Sequence, residues 1–208
     1  MDLMQVRRRM IVQTKKSRLP SAYQEVEYIE STGNQYILLG LPAARSDLVG
    51  TELEAKFSSQ RTNRTTEIIC AFSTEGSWFG LSSSGYYTNG ATNFPVSMDM
   101  SEHTIVIYIE SASRNVYILD GEYTTERFIS SLARREEGWL FGGFYGDMKW
   151  YSYSRIFYAV HRDKEGNILA KFIPCYRKSD GEIGMYDLVS NTFFTNQGTG
   201  TFLKGADV

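Results

Sequence analysis

Along residues 50–57 apolar and polar side chains alternate: Leu53, Ala55 and Phe57 fall on one side, Glu52, Glu54 and Lys56 on the other. A period of two puts successive side chains on opposite faces of a strand, so this stretch predicts a half-buried β-strand. Residues 103–110 and 115–120 form the clearest pair, the second turning at Asp120-Gly121 into a further strand over 122–125. Residues 25–30 and 35–38 predict a hairpin about Gly33-Asn34, and 67–72 and 78–81 predict strands on either side of Thr74-Glu75-Gly76. Residues 82–93 mix Ser, Gly, Tyr and Asn and read as a loop, with Ser84-Gly85 and Asn89-Gly90 as turn signals. Only residues 126–135 have helical character. Strands resume over 139–144, 148–161 and 168–174, with a turn at Glu165-Gly166-Asn167. The closing stretch gives strands over 182–186 and 192–195, with turns at Asp180-Gly181 and Ser190-Asn191 and a return through Gly198 and Gly200 to Phe202. Gly and Asn suit such turns because they accept a positive φ. Turns every 8–12 residues without βαβ alternation indicate an all-β, antiparallel two-sheet sandwich rather than an α/β fold.

Composition sharpens that picture. Eighteen glycines, fourteen tyrosines and twelve phenylalanines fit many turns and an aromatic core. The 208 residues suit one domain over residues 19–208, preceded by a different segment, residues 1–18. That arm holds six basic residues against Asp2 alone, a balance of +5; the remainder holds 16 basic and 23 acidic residues, a balance of −7. An acidic domain repels phosphate and is a poor nucleic-acid partner. In the arm, Leu3, Val6, Met10 and Ile11 form an apolar stripe at helical spacing beside Arg7, Arg8 and Arg9, although residues 10–13 equally suit a strand. A segment this short does not hold a helix alone, so it is expected to dock onto a partner, another copy of the chain or a different protein of its assembly, with folding back onto its own acidic sandwich as the alternative. No apolar run approaches the roughly 20 residues that span a bilayer, and no export signal is expected. Cys70 and Cys175 sit in apolar strand-like runs; two buried free thiols are favoured, with a single inter-strand disulfide as the alternative.

Two sets of residues carry a family resemblance. Near the start, Leu19-Pro20-Ser21-Ala22-Tyr23 precedes Val26-Glu27-Tyr28-Ile29-Glu30-Ser31-Thr32-Gly33-Asn34-Gln35-Tyr36-Ile37. Near the end come Phe172-Ile173-Pro174-Cys175, Gly181-Glu182-Ile183-Gly184-Met185-Tyr186-Asp187-Leu188-Val189 and Asn196-Gln197-Gly198-Thr199-Gly200. Together they resemble the opening and closing signatures of the concanavalin A-like (laminin-G-like) β-sandwich domain found in phage and prophage structural proteins. The family usually has Gly at the position of Ala22 and often Thr at that of Asn34. The resemblance implies a jelly-roll-like sandwich whose signature ends are neighbours, with Val26, Tyr28, Phe172 and Tyr186 buried. It also implies a non-enzymatic virion protein of tail, fibre or head, binding a host-surface glycan or serving as decoration. A bacterial carbohydrate-binding or adhesin domain is the alternative, and a polysaccharide hydrolase of the same superfold is less favoured.

Candidate chemistry is sparse. Hydrolases of the superfold carry Glu-x-Asp-x-x-Glu on one strand, and Glu25-Val26-Glu27-Tyr28-Ile29-Glu30 nearly matches it, with Glu25 and Glu27 on one face. The same segment is the opening signature, and a solvated strand face is the favoured reading. His103 and His161 are the only histidines, with no nucleophile motif beside either. No zinc spacing occurs. Lectin-like sandwiches bind calcium through loop carboxylates, for which Asp47, Asp99, Asp147 and Asp187 are candidates, but ordinary turn aspartates are favoured and no cofactor is expected. The Tyr86-Tyr87 pair with Asn89 in the Ser/Gly/Asn stretch resembles a recognition loop, and with Tyr145 it forms the expected glycan site. Trp78 and Trp139 are expected in the core.

Overall fold

The computed structural model describes residues 19–41, 45–61, 67–71, 77–82, 85–88, 94, 96, 99–128, 138–145 and 148–208. The strands, in chain order, begin with β1 (Tyr23–Glu25), β2 (Ile29–Glu30), β3 (Ile37–Leu38), β4 (Glu52–Ser59), β5 (Glu67–Ala71) and β6 (Trp78–Ser82). They continue with β7 (Gly85–Thr88), β8 (Glu102–Ser111), β9 (Arg114–Leu119), β10 (Tyr123–Phe128), β11 (Trp139–Leu140) and β12 (Gly142–Tyr145). The last six are β13 (Met148–Tyr151), β14 (Ser154–Arg162), β15 (Ile168–Arg177), β16 (Ile183–Asp187), β17 (Thr192–Thr195) and β18 (Leu203–Lys204). Arg45–Leu48 forms a 3-10 turn, and no α-helix occurs among the described residues.

Two antiparallel sheets form a jelly-roll-like sandwich. The main sheet runs β10-β9-β8-β4-β14-β15-β16-β17, with β1 added to β15, β2 to β14 and β18 to β2. The second runs β3-β11-β5-β6-β7, and β12 and β13 make a separate hairpin. Between the sheets lies one core, to which Leu53, Phe57 and Phe172 contribute from the first and Ile69, Phe79 and Leu140 from the second. A smaller aromatic core lies on the second sheet's other side. There Trp139 stacks on Tyr36 with centroids 4.3 Å apart, Trp78 meets Tyr87 edge-on, and Trp150 and Tyr151 of β13 pack against them. Trp78 and Trp139 are both buried.

The strand over 50–57 is more enclosed than its alternation suggests. Leu53, Ala55 and Phe57 face the core, yet Glu52 and Glu54 on the outward face are only 4% and 5% exposed. Two further expectations are corrected. Residues 25–30 and 35–38 do not form a hairpin, because β2 pairs with β14 and β18 while β3 pairs with β11. The turn between them instead carries the chain from one sheet to the other. The helix expected over 126–135 begins as strand: residues 126–128 complete β10 against β9, where pairing with a neighbour outweighs local propensity. Residues 129–137 lie outside the described residues.

The two signature ends meet. Tyr23 to Glu25 pair with Arg177 to Cys175, and Val26 bridges to Asp207. Deeper in, the Gln197 and Thr199 amides donate to the Tyr36 and Asn34 carbonyls at 2.9 and 3.1 Å, and Asn196 Oδ1 accepts from the Tyr36 amide. Gly198 lies so close that a Cβ there would overlap the Asn34 carbonyl oxygen. Gly184 leaves room for the Phe193 ring, which meets Tyr23, itself 4.8 Å from Tyr186. Val26, Phe172 and Tyr186 are buried. Tyr28 is only half-buried, since it lies on the outer face with the Arg155 guanidinium 4.4 Å from its ring.

Candidate functional site

Tyr86 and Tyr87 of the expected glycan site do not lie in a surface loop. Tyr86 and Tyr87 belong to β7, where they are 0% and 9% exposed. Tyr86 packs between Phe57 and Phe79, and Tyr87 against Trp78. Gly85, at φ 121, starts the strand rather than extending a loop. Rings enclosed in this way cannot stack on a sugar, so the recognition role expected of the Tyr86-Tyr87 pair is withdrawn. Asn89 and the Tyr145 side chain lie outside the described residues, as do arm residues Leu3, Val6, Arg7, Arg8, Arg9, Met10 and Ile11.

The acid motif is built into the seam between the signature ends. Glu25 lies opposite Cys175, Glu27 is exposed with its Oε2 accepting from the Ala206 amide, and Glu30 pairs with Arg155 at 2.7 Å. Among the calcium candidates, Asp187 spends its oxygens on the amides of Lys171, Val189 and Ser190, which closes the β16–β17 turn. Asp47 lies within the 3-10 turn, and Asp147 is outside the described residues. Among the described residues, no group of three His, Cys, Asp or Glu side chains converges on a metal position. Cys70 and Cys175 are free and buried; burial pushes both thiols up to about 12, which leaves them unreactive.

The cluster that sequence reading missed surrounds His103. Its Nδ1 lies 2.7 Å from Asp120 Oδ2 and its Nε2 lies 2.9 Å from Asp99 Oδ1. Ser101 Oγ is 3.1 Å from the same Nε2 and donates to Asp99 Oδ1 at 2.5 Å. Phe57 and Tyr86 wall the ring, which is 7% exposed. The Asp120 hydrogen bond, opposed by desolvation and aided by Asp99, raises the imidazole above its ordinary range. The hydrogen bond from Ser101 lowers Asp99. Ser101, His103 and Asp120 thus have the spacing of a hydrolytic triad, with a second carboxylate, Asp99, on the nitrogen that faces the serine. A general base needs a bare Nε2; while the ring is charged, Asp99 takes the proton of that nitrogen and also the serine hydroxyl, so the charged cluster offers no base. The two carboxylates lie on opposite ring nitrogens and cannot share one ion. One signal was present: Ser101 and His103 are two apart on a strand edge, hence on one face. The pairing with Asp120 is non-local.

A second cluster lies on the outer face of the main sheet. Tyr158 donates to Glu54 Oε1 at 2.7 Å, and Arg162 Nη1 reaches Glu54 Oε2 at 2.8 Å and Glu52 Oε1 at 3.4 Å. Burial, with Glu54 beside it, raises the Tyr158 phenol. Lys56 pairs with Glu102 and also lies 5.2 Å from the Phe157 ring. These groups pair with one another across β8, β4 and β14, as a cross-strand network does. No helix of the described residues is long and apolar enough to cross a membrane. No protein-family model matches the chain, and no curated protein matches it either.

Proposed function

We propose that this chain is a non-enzymatic structural protein of a phage virion, a β-sandwich mounted on its assembly through residues 1–18. One observation carries most of the weight: the residues that resemble the virion-protein domain are those that lock the two chain ends together. Gly184, Gly198 and Gln35 each have a packing or hydrogen-bonding role in that closure. Such residues suit a module that must stay closed while displayed on a particle. The arm's charge of +5 complements the domain's −7, so a second copy or another acidic virion protein is the partner that the charges favour. A host-surface polysaccharide is the ligand class implied by the resemblance; it would meet side chains other than Tyr86 and Tyr87.

Deleting residues 1–18 tests the mounting role. The truncated domain is expected to fold with the parent's unfolding midpoint and to fail to enter the particle. Truncated protein found in purified particles at the parent's copy number would overturn the proposal.

A further inference from the structure

A charged imidazole has two N–H groups to give, and a neutral one has a single N–H and a lone pair. Around His103 both nitrogens face carboxylates, so only the charged ring satisfies both contacts. We propose that Asp99, His103 and Asp120 form a protonation-controlled staple. With the ring charged, the staple ties the segment entering β8 to the β9–β10 turn; when the ring loses its proton to solvent, it lets go of Asp99.

The geometry says which contact is kept. Asp120 is anchored: its Oδ1 accepts from the Thr104 amide at 2.8 Å, and its own amide donates to the Thr104 carbonyl at 2.8 Å. Asp99 is 55% exposed and is held by Ser101 and His103. The neutral ring therefore keeps Nδ1–H on Asp120 and presents a lone pair at Nε2. Ser101 Oγ lies 3.1 Å from that nitrogen and can turn its hydroxyl from Asp99 to fill the place. Asp120 and Asp99 are the charged groups that act on the ring, and Tyr86 on β7 also meets it, with a phenol that burial holds well above its ordinary range. From β4 the neighbour is Phe57, which is neutral. The staple belongs to the fold rather than to the mounting role, so its test is independent of the arm.

Following the ring carbons of His103 and His161 by NMR tests this, because the chain has only these two histidines. His103 is expected to titrate above the ordinary imidazole value of about 6.5. Asp120→Asn should lower that midpoint by about one pH unit, the lower end of the effect of an adjacent opposite charge, and Asp99→Asn by less. In the unaltered protein, the ratio of Ser101 to Thr104 amide exchange rates should rise several-fold across the His103 titration, since only Ser101 is tied to the released carboxylate. A His103 midpoint at or below the ordinary value would overturn the staple. So would an exchange ratio that stays constant across the titration.

Discussion

Gln35 is the hinge of the closure, and its replacement by Met removes the hydrogen bonds while keeping most of the volume. Its side chain is 3% exposed. Oε1 accepts from the Thr32 amide at 2.8 Å and the Ser31 hydroxyl at 3.1 Å, and Nε2 donates to the Thr201 carbonyl at 3.2 Å. The Ser31 hydroxyl has a second acceptor in the Gln35 carbonyl at 3.3 Å and loses little. The Thr32 amide and the Thr201 carbonyl lose a partner, each at about 1–3 kcal/mol if no replacement is found. Both residues are exposed, so water restores part of that, and the net loss should be about 2 kcal/mol. In a chain of this size that lowers the melting temperature by roughly 4–8 °C. Urea unfolding at constant m-value is the assay. A change below about 0.5 kcal/mol, the range of ordinary surface substitutions, would refute the structural role given to Gln35.

Two further outcomes follow from burial. Tyr86→Ala should destabilise the domain by about 3–5 kcal/mol, as deletion of a large enclosed ring does, and retention of the parent's midpoint would return that ring to the surface. His161 is buried and its imidazole is lowered to about 4 by desolvation, so between pH 6.5 and about 4 the unfolded chain takes up a proton that the folded chain refuses. Stability from this group is present above 6.5 and is lost as pH falls towards about 4, by up to roughly 3 kcal/mol. His103 has the opposite sign: its contribution is present below the ordinary value and is lost as pH rises through its raised one. Urea midpoints measured between pH 4 and 7 should therefore fall less steeply towards acid in His161→Gln than in the parent, and parallel curves would contradict the assignment.

The hairpins were legible in the sequence wherever a turn residue forces the backbone. Asp120-Gly121 has φ of 53 and 71, Gly181 has 75 and Asn191 has 57, and each joins the strands that its neighbours predict. Strand β7 was not legible, because Gly, Ser, Tyr and Asn together have the composition of a loop. Burial between Phe57 and Phe79 decides the matter, and that contact is long-range. Strands β2 and β3 are two residues each, too short for alternation to show which sheet each joins. The near-complete burial of Glu52 and Glu54 was likewise hidden, since alternation marks two faces without saying that both are shielded. The acid clusters depend on partners such as Arg162 and Asp120, over 100 and 17 residues away, which no local spacing shows.

The most direct measurement is a cryo-electron reconstruction of purified particles from cells that encode this chain. If it is a virion component, sandwich density should appear at regular positions with a fixed copy number, and residues 1–18 should be buried against a neighbouring subunit. Particles complete without that density, with the protein recovered from the soluble fraction and releasing sugars from a polysaccharide, would contradict both the virion assignment and the non-enzymatic one.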